Sequence, residues 1–349
     1  MLMKLFERKN EENEDEVEEI AVRKTRRSSK KKEEKKPWTR KERLLVFSLI
    51  VFTASTSALL SLSAREWKLP GLPRFGIPNF TVPFFGKETI ILEGNKGAKA
   101  DLEKAEEAKE IFRQKTNSLS GIYGLYVIRL DNGFSYGVNE REIFQAASLI
   151  KLPVMAAMYL EAEEGNLDLD DKYELKAADK VSGAGSLYSK PVGYELTYRE
   201  ILRLMGRQSD NTAFNVARNY LGEDKIKEYL VRFGMRDTSL SENETTPYDI
   251  GNFFENLWND NLLSAGDRDE LLSNLTDTLY EEWLAAGIPS NVRVSHKYGR
   301  ELHVVNDAGI VFADNPFVIV IVSKGAVERE ADEIFPELAR FIYDIESSP

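Results

Sequence analysis

Cysteine is missing from this chain of 349 residues, so the chain can form neither a disulfide framework nor a thiolate metal site. Histidine is nearly missing too, because His296 and His303 are the two that occur. A zinc site built from several histidines is therefore excluded, and a Ser-His-Asp triad could use only one of the pair. The sequence indicates no metal ion and no organic cofactor.

Basic residues are outnumbered by acidic ones, and the formal net charge is −11. Residues 1–43 nevertheless hold more basic than acidic side chains, so the rest of the chain is more acidic than the whole. An acidic body argues against nucleic-acid binding, because neutralising phosphates needs a basic surface. Residues 1–43 are mostly charged, cannot bury a core, and are predicted to be a disordered tail.

Residues 44–64 carry no charged side chain and are long enough to cross a bilayer as a helix. A cleaved signal peptide is the alternative, because serine and alanine near the end resemble a cleavage site, but the long preceding tail favours a retained anchor. Basic residues are dense before the span and sparse after it, which predicts a single-pass membrane protein with a cytoplasmic N-terminus. Proline-rich residues 65–94 are predicted to be a semi-rigid spacer before an extracytoplasmic domain at 95–349.

The order of elements in this last part predicts an α+β fold. A helix is expected at 101–115, followed by strands at 124–130 and 134–138 joined by the turn Asp131-Asn132-Gly133. Helices are expected from about residue 148 and at 197–205, 211–220, 225–233, 247–259 and 267–286. Strands at 292–297, 303–312 and 316–323 and a helix at 327–343 close the chain. This layering predicts that both chain ends build one sheet around a helical middle.

Ser148 and Lys151 lie one turn apart at the predicted start of a helix, so their side chains project from the same face. A serine hydroxyl needs an adjacent base to act as a nucleophile, and a lysine can be that base if apolar neighbours lower its pKa. The helix N-terminus adds N–H groups that favour developing negative charge. Taken alone, however, such a pair is more often an N-cap serine followed by a snorkelling lysine.

Two further motifs follow in order, Ser209-Asp210-Asn211 and Lys297-Tyr298-Gly299. With Ser148-x-x-Lys151, they resemble the S-x-x-K, S-D-N and K-T-G signatures of the class A β-lactamase and penicillin-binding-protein superfamily of active-site serine enzymes. The resemblance covers about residues 95–345. It implies a β-lactamase/transpeptidase-like fold, in which an antiparallel sheet with flanking helices lies beside an all-helical subdomain.

The resemblance implies catalytic roles for three residues. Ser148 would attack a carbonyl carbon to form an acyl-enzyme, Lys151 would take its proton, and Ser209 would pass a proton to the departing nitrogen. Asp210 would point away from the cleft and cap local backbone.

The resemblance also implies how substrate is bound. Asn211 would hydrogen-bond the substrate amide and Lys151, and Lys297 would attract a substrate carboxylate. Backbone N–H groups of Ser148 and Arg300 would form the oxyanion hole, and Gly299 would let substrate backbone approach the strand.

Two departures from the family pattern stand out. Tyr298 occupies the position where the third motif usually has Thr or Ser, and its hydroxyl lies much farther from the backbone. The deacylating glutamate of the E-x-x-L-N motif is also missing, because residues 233–244 run almost directly into Thr245 as if a loop were cut out. Glu242 and Glu244 are the acidic candidates to replace it, although exposed loop charge is their commoner role.

The leading hypothesis is a membrane-anchored, extracytoplasmic β-lactamase-like serine hydrolase acting on β-lactams or related amides, with slow deacylation. A penicillin-binding or D-alanyl peptidase activity on peptidoglycan peptides is the first alternative, and a catalytically silent wall-binding module is the second. A Ser-His-Asp hydrolase using His296 is disfavoured, because His296 precedes Lys297 in a strand and would point to the opposite face.

Overall fold

The computed structural model describes residues 99–348. The predicted tail (1–43), membrane span (44–64) and spacer (65–94) lie outside the described residues. Among residues 99–348, no helix combines the length and apolar character needed to cross a membrane.

One five-stranded antiparallel sheet organises the described chain. In chain order its strands are β1 (Ile122–Arg129), β2 (Ser135–Val138), β7 (Val294–Glu301), β8 (Val304–Val311) and β9 (Phe317–Lys324). Their spatial order is β2-β1-β9-β8-β7, so the first and last parts of the described chain meet where β1 pairs with β9. The α+β prediction with a sheet built from both ends is confirmed, and β7, which carries the third motif, is an edge strand.

The remaining elements are short strands and helices. The strands are β3 (Phe144–Gln145), β4 (Lys172–Glu174), β5 (Glu195–Thr197) and β6 (Glu244–Thr245). The helices are α1 (Lys99–Thr116), α2 (Lys151–Glu163), α3 (Tyr198–Arg207), α4 (Asn211–Leu221), α5 (Glu223–Arg232), α6 (Pro247–Trp258), α7 (Ala265–Asn274), α8 (Leu284–Gly287) and α9 (Glu328–Glu346).

Side chains alternate between the two faces of the sheet, and this alternation divides the hydrophobic core into two clusters. Leu125 and Val127 of β1 face a cluster that includes Phe112 of α1 and Phe335 of α9. Tyr126, on the opposite face of the same strand, belongs to a second cluster with α2, α3, α4 and α6. Because successive strand residues point to opposite faces, one sheet supports both the terminal helices and the helical subdomain.

The prediction of a single helix at 267–286 is wrong. Two helices, α7 and α8, occur there, separated by an irregular segment at 275–283. The backbone of this segment bonds outside any helix: the Leu275 carbonyl accepts from the His296 N–H at 2.8 Å, and the Leu279 N–H donates to the Arg207 carbonyl at 2.8 Å. Pairing with β7 and α3 therefore outweighs local helix propensity.

Candidate active site

The backbone before Ser148 is held by three hydrogen bonds to Asn243 and Asn306. The Ala146 N–H donates to the Asn243 carbonyl at 2.7 Å, and the Asn306 amide donates to the carbonyls of Gln145 and Ala146 at 2.7 and 3.2 Å. Ala147 has φ +47, a left-handed conformation that costs a non-glycine residue roughly 1–2 kcal/mol. These anchors maintain that conformation and fix the position of the serine that follows.

Ser148 lies in a 3₁₀ turn, Ala147–Ile150, which leads directly into α2 at Lys151. The predicted position of the helix start is therefore confirmed, although its first turn is a 3₁₀ turn rather than α-helical. Side chains at positions i and i+3 eclipse in a 3₁₀ turn, so Ser148 and Lys151 project in the same direction. Ser148 is half-buried, and its hydroxyl makes no hydrogen bond to any residue in the described range.

Lys151 is a buried cation with three neighbouring acceptors. Its Nζ donates to Asn211 Oδ1 at 2.7 Å, to Ser209 Oγ at 3.2 Å and to the Ser209 carbonyl. Burial lowers the pKa of Lys151 from 10.5 to about 7, against the opposing attraction of the Asp210 carboxylate. Close to half of the molecules therefore hold Lys151 as a neutral amine at neutral pH, as a general base requires.

Ser209 lies between two lysines. Its Oγ accepts from Lys151 Nζ at 3.2 Å and from Lys297 Nζ at 2.9 Å, and its φ of +53 turns the chain sharply into α4. Because both lysines donate to this oxygen, the Ser209 hydroxyl hydrogen remains available to a group in the cleft. The structure thus brings the first, second and third motifs together at one atom.

The neighbours of Ser209 fix the start of α4 and hold Lys151. Asp210 caps α4 by accepting from the Ala213 N–H at 2.9 Å, and it also accepts from the Leu187 N–H at 2.7 Å. Its predicted capping role is confirmed. The Asn211 amide donates to the Ser182 carbonyl at 3.0 Å, so its side chain joins Lys151 to the loop before α3.

Lys297 is fully buried on the edge strand. Its Nζ donates to Ser209 Oγ at 2.9 Å and to the Tyr298 carbonyl at 2.7 Å. Burial, reinforced by the nearby charge of Lys151, holds the pKa of Lys297 well below its usual value. Two lysines with depressed pKa values beside one hydroxyl can exchange a proton through it at little cost.

The edge of β7 provides an N–H beside Ser148. A Cβ on Gly299 would lie 2.8 Å from the Ser148 nitrogen, so the strand and the serine backbone touch at a point that only glycine allows. The His296 N–H points away from β8 toward Leu275, and Arg300, four residues on, has the same orientation in a strand. The N–H groups of Ser148 and Arg300 therefore lie on neighbouring segments, as an oxyanion hole requires.

His296 lies on the other side of the strand, as predicted. It is fully buried, and its ring nitrogens bond Asp307 at 2.8 Å and Glu281 at 3.2 Å. Burial opposes its protonation, but the two carboxylates outweigh burial and raise the pKa of His296 to about 9. A protonated, enclosed histidine cannot act as the base for Ser148. His296 therefore cannot be the histidine of a Ser-His-Asp triad.

The connection that replaces the E-x-x-L-N loop is a tight hairpin. The backbones of Ser239 and Glu244 exchange two hydrogen bonds of 2.8 and 3.0 Å, and β6 then pairs with β3 just ahead of Ser148. Glu242 is exposed and Glu244 is half-buried. Across residues 99–348, no hydrogen bond or ion pair joins either carboxylate to Ser148 or Lys151.

Comparison with known proteins decides the family. A family model described as the β-lactamase enzyme family matches residues 103–345, more than half of the chain. The chain belongs to the β-lactamase enzyme family. Among its members, β-lactamase VEB-1 of Pseudomonas aeruginosa is 25% identical over 223 residues, which span 56% of this chain and 75% of that protein. A β-lactamase of Bacteroides uniformis is 26% identical over 247 residues, 61% of this chain and 83% of that protein.

Solved structures of the family share the fold. A point mutant of PBP-A, in an acyl-enzyme complex with penicillin G, has a TM-score of 0.64 and 25% identity, covering 70% of this chain and 96% of that one. An ancestral class A β-lactamase has a TM-score of 0.65 and 23% identity, covering 68% and 99%, and this likeness concerns the fold alone. The chain is therefore a class A β-lactamase-like serine hydrolase.

Sequence reasoning missed the residues that support the nucleophile. Asn306 and Asp307 interrupt the otherwise apolar run of β8, and the buried amide of Asn306 is what holds the carbonyls before Ser148. A polar residue at a fully buried strand position was the available signal, since buried amides are almost always hydrogen-bonded. Asn243 contributes through its backbone carbonyl, which no sequence pattern reveals.

Proposed function

We propose that this protein forms an acyl-enzyme on Ser148 with β-lactams and releases it slowly. The observation that carries the proposal is the double contact at Ser209, whose Oγ accepts from Lys151 and Lys297 at 3.2 and 2.9 Å. This contact joins Lys151, Ser209 and Lys297, so a proton that Lys151 takes from Ser148 can pass on to the Ser209 hydroxyl.

Acylation follows from these contacts. Neutral Lys151 takes the Ser148 proton while Oγ attacks the lactam carbonyl carbon, and the N–H groups of Ser148 and Arg300 bind the resulting oxyanion. As the C–N bond breaks, Ser209 gives its proton to the departing nitrogen and recovers one from Lys151. The net change is one Oγ–C bond made, one C–N bond broken and one proton moved from serine to nitrogen.

Deacylation is the weak step. Hydrolysis of the ester needs an activated water, and in the described part of the chain the hairpin at 239–244 gives Ser148 no carboxylate partner. This observation favours penicillin-binding behaviour, with peptidoglycan peptides as the second candidate substrates, over efficient β-lactam hydrolysis.

Fluorescent penicillin and a chromogenic cephalosporin test the proposal. The wild type should be labelled covalently, whereas Ser148→Ala should not, and the cephalosporin should give a stoichiometric burst followed by little turnover. No label on the wild type, or equal label on Ser148→Ala, would reject the proposal. Stoichiometric muropeptide binding without any acylation would instead identify a silent wall-binding module.

We further propose that the domain is held outside the cell by a retained membrane anchor. The uncharged residues 44–64 and the basic residues that precede them support this topology. Protease added to intact cells should remove the domain and leave the N-terminal tail protected. A tail digested together with the domain would reverse the orientation, and release of the domain into the medium would indicate cleavage.

A further inference from the structure

The Tyr298 ring covers the ammonium that would otherwise face a substrate carboxylate. Lys297 Nζ lies 4.2 Å from the centroid of that ring, while its other contacts are Ser209 Oγ and the Tyr298 carbonyl. Lys297 has no exposed surface at all. A carboxylate therefore cannot reach this ammonium while the ring and Ser209 stay in place.

The Tyr298 hydroxyl does not replace the Thr or Ser hydroxyl of the usual motif. Tyr298 is 5% exposed and its ring packs 4.7 Å from Tyr280 and 6.3 Å from Trp283, measured between centroids. Within residues 99–348 its oxygen is buried and has no hydrogen-bond partner. The ring is fixed in an aromatic cluster, so the oxygen cannot turn out to bind substrate without breaking that packing.

The segment at 275–283 exposes two apolar side chains beside β7, together with the carboxylates of Asp277, Glu281 and Glu282. Leu279 and Tyr280 are 66% and 44% exposed, and the Leu279 N–H bonds the Arg207 carbonyl two residues before Ser209. The backbone that carries these side chains is therefore anchored two residues from Ser209 in the sequence, the residue proposed to protonate the leaving group. A neutral group gains from covering the two apolar side chains, whereas a carboxylate would lose hydration there without a partner.

The two arginines that flank the second and third motifs are already engaged. Arg300 donates to Asp332 at 2.8 Å and stacks over Trp283. Arg207 donates to the backbone carbonyls of Asp277 and Ser273 at 3.3 and 3.4 Å, which hold it against the end of α7. A substrate carboxylate that used either arginine would have to compete with these partners within the protein.

We propose that the cleft selects acyl donors with no free carboxylate beside the scissile C–N bond, and that a neutral, apolar leaving group lies against Tyr280 and Leu279. This inference rests on the proposed acyl-enzyme function and names its substrate class. It replaces the expectation that Lys297 recognises a carboxylate directly. Lys297 acts on the Ser209 hydroxyl instead, and Tyr298 determines specificity.

Penicillin G and its methyl ester test the inference, because they differ only in the carboxylate. Acylation of the full-length protein is followed by intact-mass spectrometry at matched concentrations of the two compounds. The ester should acylate the protein faster than the acid, by about threefold or more, because the unpaired carboxylate loses hydration at this surface, whereas a site that pairs the carboxylate through a charge-assisted hydrogen bond should favour the acid by roughly 10- to 100-fold. Equal rates or a preference for the acid overturn the inference and leave the proposed function standing.

Two substitutions test whether the Tyr298 ring sets the ratio of the acid and ester acylation rates. Tyr298→Thr uncovers Lys297 and supplies a short hydroxyl, so the acid should become favoured by tenfold or more. Tyr298→Phe keeps the ring and serves as the matched control, with an unchanged acid-to-ester ratio. An unchanged ratio in folded Tyr298→Thr, or a shifted one in Tyr298→Phe, contradicts the role of the ring. Acylation by neither compound overturns the proposed function and the inference with it.

Discussion

The pH dependence of acylation follows from the environment of Lys151. A lysine with the ordinary pKa of 10.5 is uncharged in about one molecule in 3,000 at pH 7. Lys151, whose pKa burial lowers to about 7, is uncharged in about half of the molecules. The buried site thus supplies roughly 10³ times more free base, equivalent to about 4 kcal/mol. Acylation should therefore rise about tenfold per pH unit below pH 7 and level off above it.

Stopped-flow acylation with fluorescent penicillin between pH 5 and 8.5 measures this profile. Lys151→Arg, which keeps the charge but cannot lose its proton, should lower the rate by at least about 10³-fold across the range. Asp210→Asn keeps one acceptor for the α4 cap, loses the acceptor for the Leu187 N–H, and removes the carboxylate that raises the Lys151 pKa, so in the folded variant the acid limb should shift to lower pH. A rate that is flat down to pH 5, or a shift of the limb in the opposite direction, would refute the assignment of Lys151 as the base.

Three further predictions concern the surroundings of Ser148. Gly299→Ala should reduce acylation by about 10²-fold or more in a folded protein, because the new Cβ would lie 2.8 Å from the Ser148 nitrogen and displace an oxyanion donor; near-normal rates would disprove that contact. His296→Gln should destabilise the protein by about 3 kcal/mol near pH 6. Because the folded pKa of His296 is raised to about 9, its contribution is complete below pH 6.5 and lost as the pH rises through 9, so melting curves of wild type and variant should converge at high pH. Curves that stay parallel would show that His296 is not charged in the folded protein. Glu242→Gln and Glu244→Gln should leave the lifetime of the acyl-enzyme unchanged within about twofold, and a much longer lifetime in either would identify the water-activating group.

The sequence was most informative where a local signal and a tertiary contact agree. The three motifs placed Ser148, Ser209 and Lys297 on the correct elements, because N-caps, helix starts and an edge strand have recognisable patterns. The alternation along β7 was enough to place His296 on the far side from Lys297. The sheet was also predictable, because strands of alternating or continuous apolar residues at both ends of the domain need each other to bury their faces.

What the sequence could not show depends on contacts between distant segments. The predicted helix at 267–286 fails because β7 and α3 bond the backbone of residues 275–283, and no local pattern encodes those partners. The left-handed Ala147 is likewise maintained by Asn243 and Asn306, which lie far away in sequence. The position of the Tyr298 ring over Lys297 depends on Tyr280, and Tyr280 reaches it only because the helix is interrupted.

The most direct test of the central claim is peptide mapping of the full-length protein after exposure to penicillin G. A mass increase equal to the whole antibiotic should appear on the peptide that contains Ser148, and it should be lost in Ser148→Ala and in Lys151→Arg. A modified Ser148 peptide in Lys151→Arg at the wild-type rate, or an adduct on any other residue, would contradict the account.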